Sequence, residues 1–342
     1  MPETTLDAIP TGEATEFGFS SGSLIAVPIP FSNPTIGNGL AGGGAWLFSA
    51  DSASRTSTIG LGGFRSDNGS SAVAFGADLK LNANRYMVSL LAGKADLKYD
   101  FTAGPFDIPL EQSGDLYKLE FSYGFSREFS VGVGFRYAET ALSTSFAGSL
   151  PLEISATTDL KVFKFGLVSN WDRRDSDIYP TRGSLITLDM FRGEVSGFNG
   201  KDYEKAIVKG SYFRPIFEDG NVLALSATLC HASDTAPFFD ACSIGLTDGL
   251  RGFSVTEYIG DRLVSAQAEY RGRIGKRRLG YVAFAGAGSV QGTLTSETGL
   301  HAAAGVGVRY RLSEAFPVDF SVDVSANTDG ETLYYIYVGQ SF

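Results

Sequence analysis

The chain has 342 residues, including 42 Gly, 26 Phe and 15 Tyr, with 19% charged residues and a formal net charge of −10. No run of about 18 apolar residues occurs, which excludes a transmembrane helix. The acidic balance argues against a nucleic-acid partner, since phosphate binding needs concentrated Lys and Arg.

Met1 to Phe17 carries Glu3, Asp7, Glu13 and Glu16 and no apolar core, so it does not read as a signal peptide. If the protein is exported, the sequence reads as a mature chain with an added Met. Residues 1–20 are expected to form a flexible N-terminal segment, and 21–342 a single barrel domain. From about residue 22 onward the chain alternates apolar and polar residues. Val73, Phe75, Ala77, Leu79 and Leu81 share one face, while Ala74, Gly76, Asp78, Lys80 and Asn82 share the other. Period-two patterning over about ten residues predicts strands that are greasy on one side and wet on the other. About sixteen strands are expected, at 22–31, 39–49, 56–65, 71–82, 86–99, 115–126, 129–144, 160–171, 184–193, 203–214, 221–233, 261–274, 278–290, 300–312, 317–326 and 333–342.

In the first strand Pro28 and Pro30 are two apart, so both missing donors face the same neighbour. If that neighbour is the last strand, the seam that closes the barrel is short of hydrogen bonds. Gly37-x-Gly39-x-x-Gly42 spells a dinucleotide fingerprint, but no strand–helix unit surrounds it and it is set aside. The connections sort by parity. Even-numbered ones, such as 82–85, 126–129 and 275–277, are short. Odd-numbered ones include the long stretches 100–114, 145–159, 194–202 and 234–260. A soluble sandwich has no reason to sort loop lengths this way, whereas an outer-membrane barrel pairs short periplasmic turns with long outer loops. This reading places both chain ends at the periplasmic rim.

Two segments interrupt the alternation. Asp172-Arg173-Arg174-Asp175 runs on to Tyr179-Pro180-Thr181-Arg182-Gly183 in one long even-numbered turn. There Pro180 and Gly183 set the turn, and Asp172, Asp175 and Thr181 can cap its free N–H groups. Gly249-Leu250-Arg251-Gly252-Phe253 lies inside the longest loop, the sixth odd-numbered one. Cys230 and Cys242 enclose a short segment ahead of it. In an exported protein such a pair is expected to form a disulfide; in a reducing compartment it would be two free thiols. His231 and His301 have no further ligands at a metal-binding spacing. On the twelfth strand Ser265, Gln267, Glu269, Arg271 and Arg273 form the polar face, so Glu269 is expected to point into the lumen. The last strand presents Tyr334, Ile336, Val338 and Phe342 on one face, with Gln340 as a polar interruption, which suits an aromatic girdle at the lipid interface.

The two motifs, together with Val27-Pro28-Ile29-Pro30-Phe31 at the start, resemble the outer-membrane protein 85 superfamily of BamA/TamA-like and bacterial surface antigen barrels. The resemblance implies an all-β outer-membrane barrel without POTRA domains that inserts or translocates proteins. It implies no enzymatic chemistry and no cofactor. The implied partners are outer-membrane lipid and client outer-membrane or secreted proteins. It also implies that loop six folds into the lumen with Arg251 bonded to Glu269. The family's second acceptor, an aspartate on the thirteenth strand, is replaced by Gly286, so one arm of this clamp is expected to be missing. Residues Pro28, Pro30 and Phe342 would mark a seam open to lateral separation, with Phe342 also resembling a C-terminal assembly signal. The competing readings are a passive solute pore and a structural barrel with no transport. The sequence does not identify clients or oligomeric state.

Overall fold

A computed structural model describes residues 22–33, 35–103, 106–144, 157–197, 200–217, 221–245, 250–275, 278–292, 299–312 and 317–342. The expected N-terminal segment 1–20 and Gly249 lie outside the described residues. Among the described residues eighteen strands follow in chain order. The first eleven are β1 (Gly22–Asn33), β2 (Gly37–Phe48), β3 (Ser57–Ser66), β4 (Ser71–Leu81), β5 (Tyr86–Ala103), β6 (Phe106–Gly124), β7 (Phe129–Thr144), β8 (Thr157–Asp172), β9 (Gly183–Ser196), β10 (Tyr203–Ile216) and β11 (Asn221–Ala232). The rest are β12 (Cys242–Ser243), β13 (Ile259–Gly260), β14 (Arg262–Arg273), β15 (Leu279–Gln291), β16 (His301–Arg311), β17 (Asp319–Asn327) and β18 (Thr332–Val338). Sixteen of them form one antiparallel meander; β12 and β13 pair only with each other, inside the long β11–β14 connection.

Burial in this barrel is inverted relative to a soluble fold. Residues facing outward are exposed and apolar, as with Leu61, Phe75, Phe121, Val133, Leu167, Met190, Val264 and Val306. Residues facing inward include buried charges: Arg251, Glu269, Arg271, Arg309, Asp319 and Asp323 are all at most 1% exposed. Such an exterior is stable only against hydrocarbon, and pairing each strand with its chain neighbours satisfies the backbone along the meander there. The fold is therefore that of a membrane-spanning barrel.

Two expectations need correction. Residues 100–103 and 106–114 are strand, not loop. β5 continues to Ala103 and β6 starts at Phe106, with Asp100 opposite Pro109. Among the described residues β6 pairs with β7 from Leu110 onward. Pro109 lies just outside that register and does not stop the strand. Phe101, Ile108 and Leu110 are buried against Phe238 and Ile259 of the β11–β14 loop, which rewards extending the hairpin.

The chain end also differs. β18 stops at Val338, and Gly339 adopts φ +102°, a conformation that favours glycine. The last residues turn into the lumen. Phe342 packs on buried Phe213, Val222 and Ala224, and is not part of a lipid-facing girdle. Gln340 then bonds Asp319 through Nε2 at 2.8 Å, so it belongs to the polar interior.

The paired order runs from β1 to β18, and among the described residues no paired register joins these two end strands. Their Cα atoms nevertheless approach within 8 Å, so they lie side by side. The β1–β2 register is unbroken through Pro28↔Gly42 and Pro30↔Leu40. A proline nitrogen aimed at β2 would interrupt that ladder, so both donor-less nitrogens lie on the β18 side.

Candidate functional site: a loop and a turn clamped inside the barrel

The β11–β14 loop re-enters the barrel. Its first limb is tied to the wall by a Cys230–Cys242 disulfide, with Cα atoms 5.9 Å apart. A short 3-10 turn at Phe238–Asp240 follows the β11 end. There Asp240 meets Lys164 of β8 at 2.6 Å and Lys205 of β10 at 3.7 Å, and accepts the Tyr203 hydroxyl. A partly buried carboxylate needs such partners, and this one has three.

The tip is held more tightly. Leu250, Arg251, Gly252 and Phe253 are all buried. Arg251 donates from Nη2 to Glu269 of β14 at 2.5 Å and from Nη1 to Asp323 of β17 at 2.8 Å. Its guanidinium also sits over the Phe284 ring at 3.7 Å, and 5.9 Å from the Phe342 ring. The planar fork of arginine lets one side chain span two carboxylates.

The expected missing arm is therefore supplied from another strand. Asp323, on the inward parity of β17, takes the place that Gly286 leaves open. The reason for Gly286 is local: a Cβ there would come within 2.4 Å of Leu250 Cδ1, so the loop tip itself fills the space. Asp323 is shared, since Arg309 of β16 and the Tyr337 hydroxyl also bond to it. Gly252 has φ +116°, and a Cβ would sit 2.3 Å from Ala303, so this position requires glycine. Its N–H donates to the Tyr335 hydroxyl of β18 at 2.8 Å, and its carbonyl accepts from Asn327 of β17 at 2.9 Å. Two residues further, the Ser254 and Thr35 hydroxyls are 2.9 Å apart, joining the loop to the β1–β2 turn.

The 173–182 turn enters from the opposite rim. Asp175 accepts the Thr181 and Arg182 amides at 2.8 and 3.1 Å as well as the Thr181 hydroxyl, and Asp172 accepts the Arg174 amide at 3.0 Å. Thr181 thus donates to a carboxylate and does not itself cap an N–H. Partial burial raises the Asp175 pKa, but the Thr181 hydroxyl and the two amides outweigh it and hold the carboxyl below its ordinary value. Gly183 has φ +98°, and a Cβ would meet the Arg173 carbonyl at 2.0 Å. Asp172 also accepts from Nε and Nη2 of the Arg174 guanidinium, at 3.0 and 2.8 Å.

The role of Tyr179 was not legible from the sequence. Its ring lies 4.8–4.9 Å from the guanidinium carbons of Arg271, Arg273 and Arg311, and the Pro180 carbonyl accepts from Arg271. Arg271 is 3.6 Å from Glu269. Turn, strand β14 and loop tip therefore share one continuous polar network. The only sequence signal was the inward parity of the arginines on β14 and β16.

A polar-lumen barrel with a loop clamped to its inner wall defines the class of protein. The Omp85 superfamily domain matches residues 71–342, and the chain belongs to that superfamily. Among solved structures, BamA from Haemophilus ducreyi lacking POTRA domains 1-3 aligns with TM-score 0.60 at 15% identity, covering 93% of this chain and 70% of that one. CdiB from Escherichia coli aligns with TM-score 0.64 at 15% identity, covering 92% and 62%. CdiB from Acinetobacter baumannii aligns with TM-score 0.60 at 12% identity, covering 93% and 59%. The chain thus spans between about three fifths and seven tenths of these structures. No curated protein sequence matches it.

Proposed function

We propose that this barrel lies in the outer membrane with both chain ends at the periplasmic rim, and that it inserts or translocates polypeptides by parting β1 from β18. The observation that carries the reading is the break in strand pairing at that place, where Pro28 and Pro30 add no donors. Loop six would act as the latch. Its tip bonds Tyr335 on one side of the seam and meets the β1–β2 turn at Thr35 on the other. Outer-membrane lipid and client barrels or secreted chains are the proposed partners. The action is mechanical and needs no covalent step or cofactor.

A passive pore is less well supported, because the clamped loop and the 173–182 turn both occupy the lumen. The test places one cysteine on β1 and one on β18, crosslinks them, and measures client-barrel folding into liposomes. Locking should abolish the acceleration. Unchanged acceleration with a locked seam would refute lateral opening, and conductance in planar bilayers would then decide for the pore.

A further inference from the structure

The lumen is not polar throughout. Beneath loop six a cavity of about 770 Å³ is lined by five cationic side chains (Lys118, Arg136, Lys164, Lys205 and Lys209) and three anionic ones (Glu120, Asp189 and Asp240). This is a local cationic excess in a chain whose net charge is −10. Adjoining it is a second cavity of about 450 Å³ along β4–β8, with an apolar wall that includes Leu91, Gly93, Ala95, Leu116, Ala138 and Val162. The two share Arg136, Lys164 and Gln112 at their junction, and both are roofed by Phe239 and Asp240 of loop six.

Leu116 shows how unusual this wall is. It alternates with the outward Tyr117, and its register partners are Gly93 and Ala138, so it faces inward. Yet it is 43% exposed. A water-filled barrel interior is expected to carry polar residues, and apolar side chains left open in a cavity mark a binding surface. Arg136 carries the second, independent signal. Its bonds to Glu120 and Asp189, 3.0 Å each, both leave from Nη2, and its side chain stays 25% exposed where the two cavities meet. A partly open guanidinium at such a junction offers a planar, charged donor to a carboxylate or phosphate.

A charged cavity joined end to end with an apolar one matches an amphiphile. Both volumes fall in the range of small-molecule sites, roughly 300–1,000 Å³. We propose that the lumen beneath loop six binds a single-chain anionic amphiphile, its carboxylate or phosphate head at Arg136 and Lys164 and its tail along the β4–β8 wall.

The test uses the full chain in liposomes with a diazirine-bearing dodecanoate, followed by mapping of the photoadducts. Labelling is expected on inward residues such as Leu91, Leu116 and Ala138. Dodecanoate and dodecyl phosphate should compete for the inward labelling, whereas dodecanol and inorganic phosphate should not. Arg136→Gln removes a charged hydrogen-bonding group and should weaken inward labelling about tenfold. Leu116→Asp places a carboxylate in the path of the tail and should abolish it. Leu116 is already open to the lumen, so this variant should fold, as judged by heat-modifiable migration. Labelling confined to outward residues such as Tyr117 and Phe121 would overturn the proposal by assigning the probe to bulk lipid. Competition by inorganic phosphate alone would overturn it in favour of a simple anion site. Equal competition by dodecanol, or unaltered labelling in both variants, would also overturn it.

Discussion

Replacing Arg251 by alanine should open the loop tip without unfolding the barrel. The guanidinium is 1% exposed and bonds Glu269 and Asp323, themselves 1% and 0% exposed. Removing one partner of a buried pair costs about 3–5 kcal/mol, because the remaining charge is stranded. Here the lower end applies. Asp323 keeps Arg309 and the Tyr337 hydroxyl at 2.8 Å, and Glu269 keeps Arg271 at 3.6 Å. About 3 kcal/mol corresponds to roughly a hundredfold rise in the population of the open tip. The assay is chymotryptic cleavage after Phe253, which is fully buried when the loop is closed and suits that protease's hydrophobic pocket. When reclosing outpaces cleavage, the rate follows the open population. Arg251→Lys should fall between the two, since a point charge cannot span both carboxylates as a planar fork does. Wild-type cleavage rates in Arg251→Ala would refute the clamp, even if the barrel's melting temperature fell.

Three further outcomes are expected. Reducing the Cys230–Cys242 bond frees a short loop, worth about 2–3 kcal/mol, so cleavage at Phe238 and Phe239 should rise at least about tenfold while the Phe253 site stays protected; equal protection of both sites would count against the anchoring role. Burial, reinforced by Glu331, Asp329 and Asp107, pushes Glu257 from 4.5 up to about 7. An acid raised on folding favours the folded tip below its unfolded pKa, and that contribution is lost as pH rises through about 4.5 to 7. Phe253 should therefore exchange or cleave faster at about pH 8 than at about pH 5 relative to a peptide control, and Glu257→Gln should flatten the difference. Gly286→Asp restores a carboxylate familiar from the family but should destabilise by about 1–3 kcal/mol, since its Cβ would meet Leu250 at 2.4 Å and the Ala266 carbonyl at 2.7 Å; a thermal melt at or above wild type would contradict this.

Local patterning carried the strand framework. Side-chain alternation is a property of each strand by itself, so the sixteen-strand meander, the outward face of β4 and the inward parity of Glu269 could be read residue by residue. The Gly-rich tip containing Arg251 could be read too, because tight backbone leaves a mark in sequence. What stayed hidden depends on closure, which brings together residues far apart in the chain. Asp323 lies 72 positions from Arg251 and becomes its partner only when β17 curves round to face loop six. Tyr179 meets Arg271, Arg273 and Arg311 because the turn folds upward into a space that exists only in the closed barrel. Phe342 looked like one more lipid-facing aromatic, since alternation assumes that the strand continues. Gly339 ends it, and the lumen offers Phe213, Val222 and Ala224 as a drier contact. A period of two states which side of a wall a residue occupies; only the curvature of the wall decides what it meets there.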